Sequence, residues 1–285
     1  MTPNVTIFEV GPRDGLQNEK RMIATADKIA LINMLSGTGL TRIEATSFVS
    51  PRWVPQMGDA AAVMAGITRA PGVGYAVLTP NMKGYDGAWA AKADEIAVFA
   101  SASEGFSRKN INASVAESLD RFAPVLIAAK ADGMPVRGYI SCVTDCPFDG
   151  KVAPQAVAAL AGALMAMGCF EISLGDTIGA ATPDTTDAML AAVLGEVPAD
   201  KLAGHFHDTE GRALDNILTS LDRGVRIFDA SVGGLGGCPY APGAAGNVAT
   251  EAVLALMATH GYATGVDEPK LRAAAAFAKT LRETA

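Results

Sequence analysis

The chain has no surplus of positive charge: 23 Lys and Arg stand against 30 Asp and Glu, a formal net charge of −7. Neutralising nucleic-acid phosphates needs the opposite balance, which excludes a general nucleic-acid binder but leaves room for a locally basic pocket. No apolar run reaches the roughly 20 residues that cross a bilayer; the longest lie near 153–167 and 273–278, so no membrane association is expected. Cysteine is scarce. Cys142, Cys146, Cys169 and Cys238 fit neither a paired disulfide framework nor a zinc pattern of two close pairs, and read as reduced thiols. Aromatic residues make up 6% of the chain, and there are only three histidines. The first strand is expected at about Val5, which leaves no room for a leader segment.

What is abundant is aliphatic: 49% of residues are hydrophobic, supplied mainly by Ala, Val, Leu, Ile and Met. Short runs rich in β-branched residues predict strands at 5–10, 42–46, 74–78, 95–100, 136–142, 170–175, 202–207 and 227–232. Between them, helical periodicity predicts helices near 26–35, 60–67, 84–91, 115–131, 154–167, 183–194 and 214–223, then 247–258 and 269–282. Ser114 and Glu117 have the spacing of a capping box, and Pro154 and Pro183 suit a first helical turn. Strands alternating with helices imply parallel pairing through crossovers. Eight units in one chain of 285 residues fit a closed α/β barrel, the (β/α)8 TIM barrel, better than an open sheet. The expectation is a single domain over 1–285, with the barrel at about 5–262 and a short C-terminal helix at about 269–284.

In such a barrel, functional groups sit where strands end. Three unusual clusters fall there: the segment 9–18 (EVGPRDGLQN) after strand one, GHFHDT (204–209) ending strand seven, and a glycine-dense stretch (233–247) after strand eight. Strands seven, eight and one are neighbours in a closed barrel, so the clusters should meet. His205 and His207 are two apart on a strand, so both imidazoles face one side and can converge on an ion; the alternative is a pair of polar core residues bonded to backbone or Asp208. Asp14 is the natural anionic third ligand, or else an Asx-turn before Gly15. Asn247 can add an amide oxygen or cap the last barrel helix. Imidazole, carboxylate and amide without thiolate suit Mg2+ or Mn2+, with Zn2+ or Co2+ as substitutes. Arg13 can stabilise an oxyanion, or simply pair with Glu44 or Asp176. Those two carboxylates lie at strand ends, where they serve as supports or proton carriers. Cys238, in a loop of small residues able to close over a ligand, is either a proton donor or nucleophile, or an ordinary buried cysteine.

With these residues in view, the chain resembles the 3-hydroxy-3-methylglutaryl-CoA (HMG-CoA) lyase family from about 6 to 264. The most specific stretches are VGPRDGLQNEK (10–20), TSFVSPRWVPQMG (46–58), EISLGDTIG (171–179) and the region 231–251 with GGLGGCPYAPGAAGN. The shorter Arg-Asp and His-x-His elements alone also occur in the wider metal-dependent barrel superfamily, which includes Claisen-type synthases. The resemblance implies metal ligation by Asp14, His205, His207 and Asn247, and catalytic roles for Arg13, Cys238, Glu44 and Asp176. It implies cleavage of HMG-CoA into acetyl-CoA and acetoacetate in leucine degradation, with the hydroxyl proton taken on the Asp14 or the His205 side. Arg13, Gln17, Ser47, Ser173 and Lys20 are then expected at the substrate. Lys20, Arg21, Arg108 and Lys109 are candidates for the coenzyme A phosphates. The family further suggests a homodimer. Where animal members are expected to read HDTYG, this chain reads His207-Asp208-Thr209-Glu210-Gly211, and a bacterial, cytoplasmic enzyme is the natural expectation. A sister acyl-CoA lyase, a Claisen-type 2-oxo-acid synthase and a non-catalytic acyl-CoA-binding barrel are the competing readings.

Overall fold

The computed structural model describes residues 4–19, 21–236 and 246–282. Eight parallel strands close into a barrel: β1 (Thr6–Glu9), β2 (Arg42–Ser47), β3 (Gly74–Leu78), β4 (Glu95–Ser101), β5 (Val136–Ser141), β6 (Glu171–Asp176), β7 (Leu202–Phe206) and β8 (Ile227–Ala230). Each strand pairs with its sequence neighbours, and β8 closes on β1. Around it run α1 (Thr25–Ser36), α2 (Ala60–Gly66), α3 (Met82–Ala90), α4 (Glu104–Ile111), α5 (Val115–Asp132), α6 (Pro154–Met167), α7 (Pro183–Val193), α8 (Ala213–Asp222), α9 (Thr250–Thr259) and α10 (Glu268–Arg282). The expected barrel and C-terminal helix are both present. The capping box forms in both directions at Ser114 and Glu117, and Pro154 and Pro183 open their helices.

Three elements escaped the sequence pattern. α4 (EGFSRKNI) buries only Phe106 and Ser107, so it has no apolar period; it is started by Ser103, whose hydroxyl accepts from the Phe106 N–H. A π-helical turn spans Gly11–Gly15, and a short antiparallel hairpin joins Asp145–Cys146 to Gly150–Lys151. The helix expected from Asn247 begins instead at Thr250, with Ala249 at its N-cap. Asn247 lies in a bridge to His207, which turns it from a capping position toward the barrel mouth.

Strand alternation sorts the side chains into two cores. One set (Ile7, Ile43, Val77, Ile96, Val98, Ile140, Ile172, Leu174, Phe228) joins the main apolar layer with the helices. Burying each such side chain contributes about 1.5–3 kcal/mol. The other set fills the barrel, and much of it is ionic rather than aliphatic. Arg42 reaches Glu95 (2.7 Å) and Glu171 (2.9 Å), and Arg137 reaches Glu171 (2.6 Å) and Asp229 (2.7 Å). The Phe8 ring lies between the two guanidiniums, 4.5 and 4.4 Å from them. Buried charge is tolerable only when fully paired, and these groups are. Among the described residues, no helix is long and apolar enough to cross a membrane.

Candidate metal centre and active site

At the C-terminal end of β1 the chain turns through the Gly11–Gly15 π-helical turn, with the N–H groups of Arg13, Asp14 and Gly15 all donating to the Val10 carbonyl. Glu9 fixes this turn to its neighbours. Its carboxylate accepts from the Gly11 N–H (2.8 Å), the Val232 N–H (2.9 Å) and the Thr250 hydroxyl (2.7 Å). Complete burial still pushes the Glu9 carboxyl up to about 7, against these three donors. Glycine is required where the turn meets the loop after β8. A Cβ on Gly15 would come within 2.7 Å of Leu235, and one on Gly236 (φ +94°) within 2.9 Å of the Asn247 amide.

The turn delivers Arg13 and Asp14 to the barrel mouth. Arg13 is buried, its Nε 2.6 Å from Glu44 and its Nη1 2.6 Å from Asp14. The ion-pair reading thus holds for Glu44 and not for Asp176. Both readings of Arg13 are compatible, because these bonds leave Nη2 with no partner among the described residues. Tyr139 donates to the same Glu44 oxygen at 3.2 Å, and its ring lies 5.5 Å from the guanidinium. Burial raises the Glu44 carboxyl against the pull of Arg13, and its Oε1 is buried with no hydrogen-bond partner among the described residues.

Asp14, His205 and His207 converge: one ligand atom from each lies within 4.8 Å of the others. Asn247 joins them, its Nδ2 donating to Asp14 at 2.7 Å. Asp208, the alternative partner for the histidines, instead accepts from the Ala213 N–H. Burial pushes the Asp14 carboxyl up, but Arg13, then the two histidines, outweigh it and hold it at about 2. Burial and the neighbouring His205 push His207 down to about 4. His207 is therefore a neutral donor at neutral pH, and its Nδ1 is buried without a hydrogen-bond partner among the described residues. An unpartnered buried nitrogen beside a carboxylate and a second imidazole is the donor set a divalent cation accepts. His205 Nδ1 lies 3.0 Å from Asp229.

These groups line a cavity of about 760 Å3 together with Gln17, Tyr139 and Thr177, an apolar wall of Val54, Leu78, Phe99 and Phe106, and a basic rim of Lys109 and Arg121. Gln17 and Lys109 are thus at the cavity, whereas Arg21 and Arg108 are not among its lining residues. Ser47 borders a second cavity of about 320 Å3 beside the first. Ser173 is buried under the site and donates to Asp229 at 2.8 Å. Asp176 accepts from the N–H groups of Ala180 and Ala181 and does not line the cavity. Its carboxyl is pushed up to about 6 by burial. Cys238 and Lys20 lie outside the described residues. Sequence reasoning passed over Arg137, Tyr139 and Asp229. Their signal was polar residues at alternate positions in otherwise apolar strands (VRGYIS, IFDA).

Comparison with known proteins adds to this geometry. A model of the HMGL-like family matches residues 4–278. The mitochondrial hydroxymethylglutaryl-CoA lyase of Bos taurus is 58% identical over 273 residues, 96% of this chain and 84% of the relative. A 3-hydroxy-3-isohexenylglutaryl-CoA/hydroxy-methylglutaryl-CoA lyase of Pseudomonas aeruginosa is 58% identical over 263 residues, covering 92% of this chain and 88% of the other. The crystal structure of the HMG-CoA lyase from Brucella melitensis superposes with a TM-score of 0.98 at 62% identity, over 99% of this chain and 100% of that one. By these matches and by its fold, the chain belongs to the hydroxymethylglutaryl-CoA lyase family.

Proposed function

We infer that the chain is a metal-dependent carbon–carbon lyase that splits HMG-CoA into acetyl-CoA and acetoacetate, as in leucine degradation. The observation that carries this reading is the convergence of Asp14, His205 and His207 at one cavity beside buried Arg13. These three residues and the Asn247 amide oxygen would hold the ion, and the lack of thiolate favours Mg2+ or Mn2+. A cation bound there would supply Lewis-acid polarisation of the substrate's oxygens.

The protein's own groups supply the rest. The hydroxyl proton passes to a base on the Asp14 side or on the His205 side. As the alcohol carbon becomes a ketone, its bond to the thioester α-carbon breaks and the electron pair moves onto the thioester as an enolate. Arg13 balances that charge through its free edge. Cys238 delivers the proton that completes acetyl-CoA. Glu44 holds Arg13 in place, and Asp176 fixes the loop that carries Thr177 to the cavity. Gln17 completes the acyl end, Ser173 supports the site from beneath through Asp229, and Lys109 and Arg121 meet the coenzyme A phosphates. The 285 residues act as one catalytic domain, a cytoplasmic bacterial enzyme that works as a homodimer.

Incubating the purified protein with HMG-CoA and Mg2+ should release acetoacetate. Turnover of citramalyl-CoA without cleavage of HMG-CoA would overturn the assignment in favour of a sister lyase. The apolar wall favours a second acceptable substrate, a 3-hydroxyglutaryl-CoA with a longer alkyl group at carbon 3. Release of acetyl-CoA together with the correspondingly longer 3-oxo acid from that thioester checks it.

A further inference from the structure

Resting on the metal-site reading above, we propose that Asp229 is a positioning residue that fixes the face His205 turns to the cation, and that Arg137 and Ser173 in turn hold Asp229. Asp229 and His205 are direct register partners on β8 and β7. The Asp229 Oδ2 atom accepts from His205 Nδ1 (3.0 Å), the Ser173 hydroxyl (2.8 Å) and Arg137 Nη1 (2.9 Å), while Oδ1 takes Arg137 Nη2 (2.7 Å). Arg137 is anchored on its other edge by Glu171, which Arg42 holds from beneath. Arg137, Ser173 and the Asp229 side chain are all fully buried.

An ionised carboxylate only accepts hydrogen bonds. The ring nitrogen facing Asp229 must therefore carry the proton, and in the neutral ring the lone pair falls on Nε2. That atom lies 3.9 Å from the Asp14 carboxylate, among the other ligand candidates. The Tyr139 ring meets His205 edge-on at 6.1 Å and restricts its rotation further. His207 has no carboxylate behind it: its Nδ1 has no hydrogen-bond partner among the described residues, and its tie is to the Thr177 backbone. His205 is thus pre-set before a cation arrives.

The need for such a clamp explains why the barrel interior is charged. A buried ion pair is seldom more stable than an apolar replacement of similar volume, and barrels of this fold are usually filled by branched aliphatic side chains. A column of charges ending on a metal-ligand imidazole is accounted for by ligand orientation, which typically governs about 10–100-fold in metal affinity.

The test uses full-length protein. In the metal-free wild type, at a pH where the ring is neutral, 15N spectra of the histidine side chains should show His205 protonated at Nδ1. Asp229→Asn should raise the Mn2+ dissociation constant roughly 10–100-fold by titration calorimetry, while Ser173→Ala, which removes one of Asp229's donors, gives a smaller rise. Protonation of wild-type His205 at Nε2 would overturn the proposal even if Asp229→Asn fails to fold. So would a folded Asp229→Asn protein binding Mn2+ within about twofold of wild type, well inside the range expected of such supports. An Asp14→Asn control that binds Mn2+ as well as wild type would instead overturn the metal-site reading itself.

Discussion

Replacing Arg13 by Gln tests the chemistry most directly, because the guanidinium has two separable tasks. The first is charge balance during bond cleavage. Loss of one preformed, charged oxyanion stabiliser typically costs up to about a thousandfold in turnover, equivalent to about 4 kcal/mol of barrier. The second is to partner Glu44, which is fully buried and 2.6 Å from Arg13 Nε. Breaking a buried pair from one side costs about 3–5 kcal/mol of stability when the remaining charge cannot be neutralised. Glu44 can be neutralised by taking a proton, and its carboxyl is already raised by burial with Arg13 opposing. Without Arg13 it rises further.

A carboxyl whose folded pKa exceeds its unfolded value costs nothing below the unfolded value. The penalty then grows as pH climbs to the folded pKa. The Arg13→Gln protein should therefore melt close to wild type at about pH 5 and fall progressively behind toward about pH 8. Metal affinity should hold, because Asp14 loses a competitor for its oxygen. Acetoacetate release at saturating Mg2+, thermal melting at both pH values and metal titration separate the three effects. Near-full turnover with metal saturating would refute the role given to Arg13.

His207→Ala should weaken Mn2+ binding by at least about tenfold in a calorimetric titration, with folding intact. Lys109→Ala should raise KM for the acyl-CoA while leaving kcat near wild type, as expected for binding lost equally in ground and transition states; a fall in kcat at constant KM would argue against a phosphate contact. Glu9, held at about 7 in the fold against an ordinary value of 4.5, costs nothing below about pH 4.5 and about 3 kcal/mol by pH 7. Chemical denaturation of wild type and Glu9→Gln across that interval should show the gap changing in the variant's favour as pH rises, and a pH-independent gap would contradict the burial argument. Ser114→Ala should cost about 1 kcal/mol through loss of the capping box at α5, read as a shift in denaturation midpoint.

The barrel was legible because its strands are short apolar runs separated by strongly periodic helices such as α5 and α6. α4 was not, since a helix lying on the surface with only Phe106 and Ser107 buried carries no hydrophobic period. His205 and His207 were legible as a pair because strand geometry puts alternate residues on one face, and Asp14 because the barrel brings β1 next to β8, whose other neighbour is β7. Asn247 was read with the helix it precedes. Its actual bridge to His207 is a long-range pairing that no local propensity encodes.

Local sequence alone pointed to most of the element types, to the alternation of strand and helix, and to the candidate site residues, because period and side-chain chemistry are properties of short segments. Only the tertiary structure decided their partners. It gave Arg13 to Glu44 and left Asp176 to its own loop, it turned Ser173 away from the cavity to Asp229, and it set His205 against a buried carboxylate 24 residues along the chain. Those choices depend on barrel register and on the need to pair every charge taken out of water, which exist only once the strands are side by side.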